Sequence, residues 1–200
     1  MAFCSRCGAA LETRVPDGDD RPRAVCPRCA TVHYDNPKTV VGCLVEHEGG
    51  VLLCRRAIEP GHGRWTIPAG FLELSESLME GARRETFEEA RANVRIAAPH
   101  ALLDLPHIGQ TYALFRASLP DGRYEAGPES LEVRVFRIDE VPWDDLAFPV
   151  VHFVLRFWAE DREAAVRHVH VGALRWNEQG DRFDARAYVM EDHIRLPITG

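Results

Sequence analysis

Four cysteines in two close pairs constrain the start of this chain more than any other feature. Cys4-Ser5-Arg6-Cys7 and Cys26-Pro27-Arg28-Cys29 are separated by eighteen residues. Two C-x-x-C knuckles at that distance match the spacing of a four-thiolate zinc site: each knuckle turns two sulfurs to one side, and the two turns close a tetrahedron. Gly8, directly after the first knuckle, suits the left-handed backbone such turns often need. Two disulfides are the rival reading, but they require an oxidising compartment, and the opening MAFCSRCG lacks the apolar stretch of an export signal. A redox C-x-x-C belongs in a strand–helix–strand setting and need not occur twice. With sulfur at all four positions no coordination site stays open, so the expected Zn²⁺ supports folding and not catalysis. Pro16-Asp17-Gly18-Asp19-Asp20 reads as a hairpin tip between the knuckles.

The remainder of the 200 residues is long enough for one further domain with a core of its own. No apolar run approaches the ~18–20 residues of a membrane span, and a cytoplasmic protein is expected. The net charge of −7, from 24 basic and 31 acidic residues, argues against binding to nucleic acid backbones as the main activity. Asp35-Asn36-Pro37 has the composition of a linker, which divides the chain into segments 1–36, 37–168 and a strand-rich extension 169–200. Thr39–Glu46 and Val51–Arg55 flank Glu48-Gly49-Gly50 as a hairpin, with Cys43 and Cys54 as buried small hydrophobes. Further strands are expected at Val94–Ala97, Ala101–Leu105, Gln110–Ser118, Leu131–Ile138, Val169–Trp176 and Phe183–Met190, with a second helix over Val150–Arg167. Strands mixed with two long helices predict α/β or α+β layering, helices packed on sheet faces.

Residues 70–92 read GFLELSESLMEGARRETFEEARA. Ser77 followed by Glu80 is a capping box that starts a helix near Leu78. At 3.6 residues per turn Glu85, Glu88 and Glu89 share one face, with Met79, Thr86, Phe87 and Ala90 roughly opposite as the expected packing face. Crowded carboxylates repel, at about 0.2–0.5 kcal/mol per i, i+4 pair even in water, and a hard cation reverses that sign. Spacing alone leaves a solvated acidic face as the competing reading.

The longer pattern is more specific. Gly70, Glu76, Arg84, Glu85, Glu88 and Glu89 stand where the Nudix box G-x5-E-x7-R-E-U-x-E-E-x-G-U places them, U being aliphatic. Thr86 replaces an aliphatic residue, Ala92 is small at the last U, and Arg91 replaces the closing glycine, which leaves the helix end unspecified. The four-Cys ribbon, Asn36-Pro37-Lys38, Trp65-Thr66-Ile67-Pro68-Ala69-Gly70 and Gly127-Pro128-Glu129-Ser130-Leu131-Glu132 recur in this order in zinc-ribbon Nudix hydrolases, so the chain resembles that family from about Phe3 to Phe148. It looks most similar to the plant-type FAD and ADP-ribose pyrophosphatases.

The resemblance implies a Nudix fold, a mixed sheet sandwiched between helices and preceded by a small ribbon. It implies Mg²⁺- or Mn²⁺-dependent hydrolysis of a nucleoside diphosphate linked to another moiety, with FAD or ADP-ribose favoured and AMP as one product. Glu85 and Glu89 become cation ligands together with the Ala69 carbonyl. Glu88 and Glu129 complete the site, one of them as the base, and Arg84 pairs with Glu76 to fix the loop against the helix. Trp65, Phe71, Gln110, Tyr112 and Arg116 are candidates for substrate contact. NADH or NAD-capped RNA is the alternative substrate, and a regulatory module that binds nucleic acid through Arg6, Arg21, Arg23 and Arg28 is the alternative of a different class. The His168-x-His170 pair has no assigned role, and relatives allow a homodimer.

Overall fold

The computed structural model describes residues 2–198 and divides into two compact units, Met1–Asn36 and Pro37–Gly200. Met1, Thr199 and Gly200, at the ends of the expected ribbon and extension, lie outside the described residues. The first unit holds three short strands, β1 (Glu12–Arg14), β2 (Arg23–Val25) and β3 (Val32–His33), paired antiparallel in that order. The turn between β1 and β2 carries Gly18 at φ +82°, in the tip expected there. Its buried apolar residues are Cys4, Val25 and Cys26, too few for a core that folds unaided.

The second unit is built on one mixed sheet. Its strands are β4 (Lys38–His47), β5 (Gly50–Arg56), β6 (Trp65–Thr66), β7 (Ala69–Phe71), β8 (Arg95–Leu105), β9 (Gln110–Ser118), β10 (Ser130–Phe136), β11 (His168–Trp176) and β12 (Tyr188–Pro197). The order is β10-β5-β4-β9-β8-β11-β12, with β6 on β5 and β7 on β4. Pairs β4–β9 and β8–β11 are parallel and the others antiparallel. Glu48 and Gly49 both have positive φ, 46° and 79°, the geometry of the tight turn whose twist matches a hairpin.

Helices α1 (Leu78–Ala90) and α2 (Pro149–Glu163) belong to two separate cores. Because side chains alternate along a strand, Val41, Cys43 and Val45 of β4 join Ala82 and Ala90 of α1, while Leu44 joins Val154, Phe157 and Trp158 of α2. Both faces of β4 are thus covered, which is why Val40–Val45 is a nearly continuous apolar run. Cys43 and Cys54 are buried as expected.

Several boundaries differ from the sequence pattern. The two strands expected either side of Pro99 are one strand, β8, whose register shifts between Ile96 and Ala98 and again between Pro99 and Ala101; the proline sits where the ladder is already irregular. The second helix stops at Glu163, short of Arg167, because Ala165 turns left-handed (φ 52°). The apolar alternation at Phe183–Met190 is not a strand from its start: Phe183 faces a cleft, Ala185 and Ala187 pack on the core in a 3₁₀ turn, and β12 begins at Tyr188. Strands β11 and β12, in the segment set apart as an extension, continue the main sheet, β11 running parallel to β8. Among the described residues no helix is long and apolar enough to cross a membrane.

Candidate metal centre and cleft

Helix α1 starts as its capping box dictates: the Glu80 N–H donates to Ser77 Oγ at 3.3 Å and the Ser77 N–H to Glu80 Oε2 at 2.8 Å. Its buried face is Gly81, Ala82, Thr86, Glu89 and Ala90, while Met79 and Phe87, expected to pack, are 40% and 42% exposed. The close approach of α1 to the sheet explains the small residues, since a Cβ on Gly81 would press on Leu72 and Val41. Thr86 tolerates burial because its hydroxyl donates to the Ala82 carbonyl at 2.7 Å. The helix ends without its glycine: Arg91 takes the left-handed conformation (φ 49°) and its N–H still reaches the Phe87 carbonyl. The loop that follows β9 satisfies the last carbonyls, Glu125 N–H donating to Ala90 O and Gly127 N–H to Glu89 O at 2.8 and 2.9 Å. A side chain on Gly127 would strike the Glu88 carbonyl, so this glycine lets the loop dock and bring Glu129 to the cleft.

Arg84 organises the acidic cluster. Its guanidinium donates twice to Glu76, at 3.0 and 2.6 Å, and also to Glu85 (2.7 Å), Glu88 (3.1 Å) and the Phe71 carbonyl (3.0 Å). Glu76 in turn accepts the Glu73 N–H at 2.7 Å, so one carboxylate ties the loop to the helix. The arginine holds Glu76 down to about 2. Glu85 goes the other way: burial, with Glu88 and Glu129 nearby, raises it in spite of Arg84. Gly70 admits this carboxyl, because a Cβ there would overlap all of its oxygens.

Glu89 is the most perturbed acid of the group. It is 7% exposed, has no ion-pair partner among the described residues, and is pushed up to about 8 by burial and by Glu85. Among the described residues its carboxylate accepts one hydrogen bond, from the Ala69 N–H at 3.3 Å. Buried carboxylates without a cation are costly, so the donor set of Glu85 and Glu89 beside Ala69 fits a hard divalent ion. The short strand β7 (Ala69–Phe71), which the sequence pattern did not announce, is what holds that loop against β4.

Glu85, Glu88, Glu89, Glu129, Ala69, Phe71, Gln110 and Tyr112 all line one cavity of about 840 Å³. The Tyr112 hydroxyl donates to Gln110 Oε1 at 3.0 Å, and Lys38 Nζ lies 5.3 Å from the centre of the half-exposed Phe71 ring. Trp65 and Arg116 are not there. Trp65 is 8% exposed in the α2-side core, edge-on to Phe136 at 4.8 Å, because its strand turns the indole inward. Arg116 is buried in an ion pair with Asp161. The cleft instead gains Arg56, whose guanidinium stacks 5.0 Å above Phe148, and Arg182, Phe183 and Tyr188 from the segment before β12. No local sequence signal marks these; they arrive through the topology.

In the first unit the four sulfurs all lie within 4.8 Å of one another, with Cys4–Cys29 at 3.7 Å and Cys7–Cys26 at 3.4 Å. A disulfide needs about 2.05 Å. A tetrahedron with Zn–S bonds of about 2.3 Å has edges of roughly 3.8 Å, so the cluster fits Zn²⁺. The two knuckles are built alike: Gly8 and Ala30 follow them at φ 74° and 56°, and each donates its N–H to the first cysteine's carbonyl at 2.9 Å. His33 Nε2 stands 3.4 Å from Cys4 Sγ.

The family model of the NUDIX domain matches residues 36–157, and that of the Nudix N-terminal zinc ribbon matches residues 2–35. A NUDIX hydrolase structure from Nitrosomonas europaea is 51% identical, with a TM-score of 0.83 over 86% of this chain and 98% of that one. An ADP-ribose pyrophosphatase from Streptococcus suis shares the fold at 21% identity and TM-score 0.50, covering 62% of this chain and 92% of that one. The NAD-capped RNA hydrolase NudC of Edwardsiella ictaluri is 27% identical over 84% of this chain, and that of Stutzerimonas stutzeri 28% over 79%. This chain covers only 62% and 54% of those two proteins.

Proposed function

The chain belongs to the Nudix family, and on that premise we propose that it hydrolyses the pyrophosphate bridge of a nucleoside diphosphate joined to a second moiety, releasing AMP and another monophosphate. The observation that carries this reading is Glu89, a buried acid beside Glu85 with no cationic side chain paired to it among the described residues, at the wall of a cleft large enough for a dinucleotide. Glu85, Glu89 and the Ala69 carbonyl would hold a divalent cation, which would supply neutralisation of phosphate oxygens and acidification of water. The protein's own groups do the rest. Arg84 and Glu76 hold loop and helix at fixed separation, and the aromatic walls, Phe71 and Tyr112 among them, offer stacking surfaces to a base or isoalloxazine.

Attack of water forms one P–O bond, breaks the bridging one, and passes a proton to a carboxylate. Glu129 is the better acceptor: its carboxylate has no hydrogen-bond or ion-pair partner among the described residues, whereas Glu88 is engaged by Arg84 at 3.1 Å. A Glu129→Gln variant that keeps full turnover reassigns the role to Glu88.

FAD or ADP-ribose is the favoured substrate. The names of the NudC relatives favour a second reading, NADH or NAD-capped RNA. A panel of all four with Mg²⁺, followed for AMP release from FAD, ADP-ribose and NADH and for nicotinamide mononucleotide release from the capped RNA, separates them by the highest kcat/KM. Release from none of them, with salt-dependent retention of RNA, points to a binding module instead.

A further inference from the structure

A second cluster of metal-ligating side chains lies where β8, α2 and β11 meet, and the proposed hydrolysis does not use it. His100, Asp161 and His170 are 0%, 3% and 0% exposed, and each brings one donor atom within 4.8 Å of the others. The His100 Nε2–H donates to the Val154 carbonyl at 3.1 Å, which leaves Nδ1 as the free atom, without a hydrogen-bond partner among the described residues. His170 Nδ1 is 3.1 Å from His193 Nε2; with the proton donated there, Nε2 is a bare lone pair, 3.4 Å from Asp161 Oδ1 and without a hydrogen bond among the described residues. Asp161 is held from outside by the ring and backbone N–H of His168, at 2.7 and 3.1 Å, and by the guanidinium of Arg116.

The two imidazoles therefore have their outer nitrogen anchored and keep an unpaired inner one, while Asp161 Oδ1, which faces His170, also accepts from the His168 ring and has one lone pair left for an ion. That is how metal-bound imidazoles and carboxylates are oriented by their surroundings. Bonds of about 2.05 Å to a tetrahedral ion give donor–donor edges of roughly 3.4 Å, the separation found between His170 and Asp161. Arg116 does not forbid a cation, because Glu46 faces it at 3.7 Å and Arg162 faces Glu46 at 4.0 Å, so Asp161, Glu46, Arg116 and Arg162 sum to zero and the network presents no net positive charge. Burial keeps both rings neutral at neutral pH, pushing His100 down to about 3 and His170 to about 4, so their lone pairs are free to bind a metal.

We propose that His100, Asp161 and His170 hold a structural divalent transition-metal ion of the zinc type, distinct from the ribbon and from the glutamate cluster. Asp161 and His170 lie beyond residue 157, where the match to the NUDIX domain ends, so two of the three ligands come from outside the matched segment and His100 from within it. It fastens α2 and β11 to β8, and His193 anchors β12 to it. A bridging water is the competing occupant.

The test is the zinc content of the full chain, expressed with Zn²⁺ and analysed by native mass spectrometry in excess Mg²⁺, which keeps the glutamate cluster occupied. Two zinc ions per chain are expected, falling to one in His170→Ala and in His100→Gln, whose amide still reaches the Val154 carbonyl. One zinc in the unaltered chain, or two that neither substitution reduces, overturns the proposal. If one variant fails to fold, the other and the unaltered chain decide.

Discussion

Glu89→Gln should stabilise the metal-free protein while destroying its response to metal. The Glu89 carboxyl is pushed up to about 8 from an ordinary 4.5, mainly by burial, so the folded state resists ionising it. The sign follows from linkage. Below pH 4.5 both folded and unfolded chains carry the proton and nothing is lost. Between 4.5 and 8 only the unfolded chain ionises freely, so stability falls as pH rises, and above 8 the cost is complete. At pH 7 the penalty is about 3 kcal/mol, from about 1.4 kcal/mol per pH unit. The amide removes it, keeps an oxygen for the Ala69 N–H, and should raise Tm by roughly 6–12 °C for a domain of this size. Bound Mg²⁺ offsets this, since the variant has lost a ligand: at 100 times its Kd it stabilises the unaltered chain by about 2.7 kcal/mol, nearly closing the gap, and at 1,000 times by about 4.1 kcal/mol, which reverses the order. Calorimetric scans of both proteins at pH 5 and pH 8, with and without Mg²⁺, measure all four differences. A variant destabilised equally at both pH values, or stabilised by Mg²⁺ as much as the unaltered chain, refutes the reasoning, and so does near-normal turnover in that variant.

Three further outcomes follow from the same geometry. Trp65→Ala should cost about 3–5 kcal/mol in urea denaturation because the indole fills the core; normal stability with a raised KM would instead place it at the substrate. Arg91→Gly relieves a left-handed non-glycine residue and should add about 1 kcal/mol, read as a higher denaturation midpoint at unchanged slope. Glu76, held down to about 2, contributes stability that is complete above pH 4.5 and drains away as pH falls toward 2, so Glu76→Gln should flatten the acid limb of the stability profile and lower kcat by misplacing the loop.

What could be read ahead of the structure was whatever is encoded locally. The strand Gln110–Ser118 and the start of α1 follow from alternation and from a capping box, each contained within a few residues. The box glutamates and the four cysteines were legible because their chemistry fixes their spacing, and the chain brings both sets together. What was hidden depends on partners far along the chain. The mismatched packing face of α1 arises because Glu89, and not Phe87, turns toward the sheet. Arg116 looks like a solvated strand residue until Asp161, forty-five positions later, is folded onto it. Phe183 sits in an alternating run that suggests a strand, yet its ring belongs to the cleft wall. The His168-x-His170 pair gained significance only when β11 was laid beside β8 and under Asp161.

The claim on which the account rests is that α1 and the Ala69 loop together gather a divalent cation at the cleft. Anomalous diffraction from crystals soaked in Mn²⁺ tests it directly. The account predicts a peak about 2.0–2.4 Å from carboxylate oxygens of both Glu85 and Glu89 and from the Ala69 carbonyl, lost in Glu89→Gln. A cleft without Mn²⁺, or an ion bound away from Glu85 and Glu89, would contradict it.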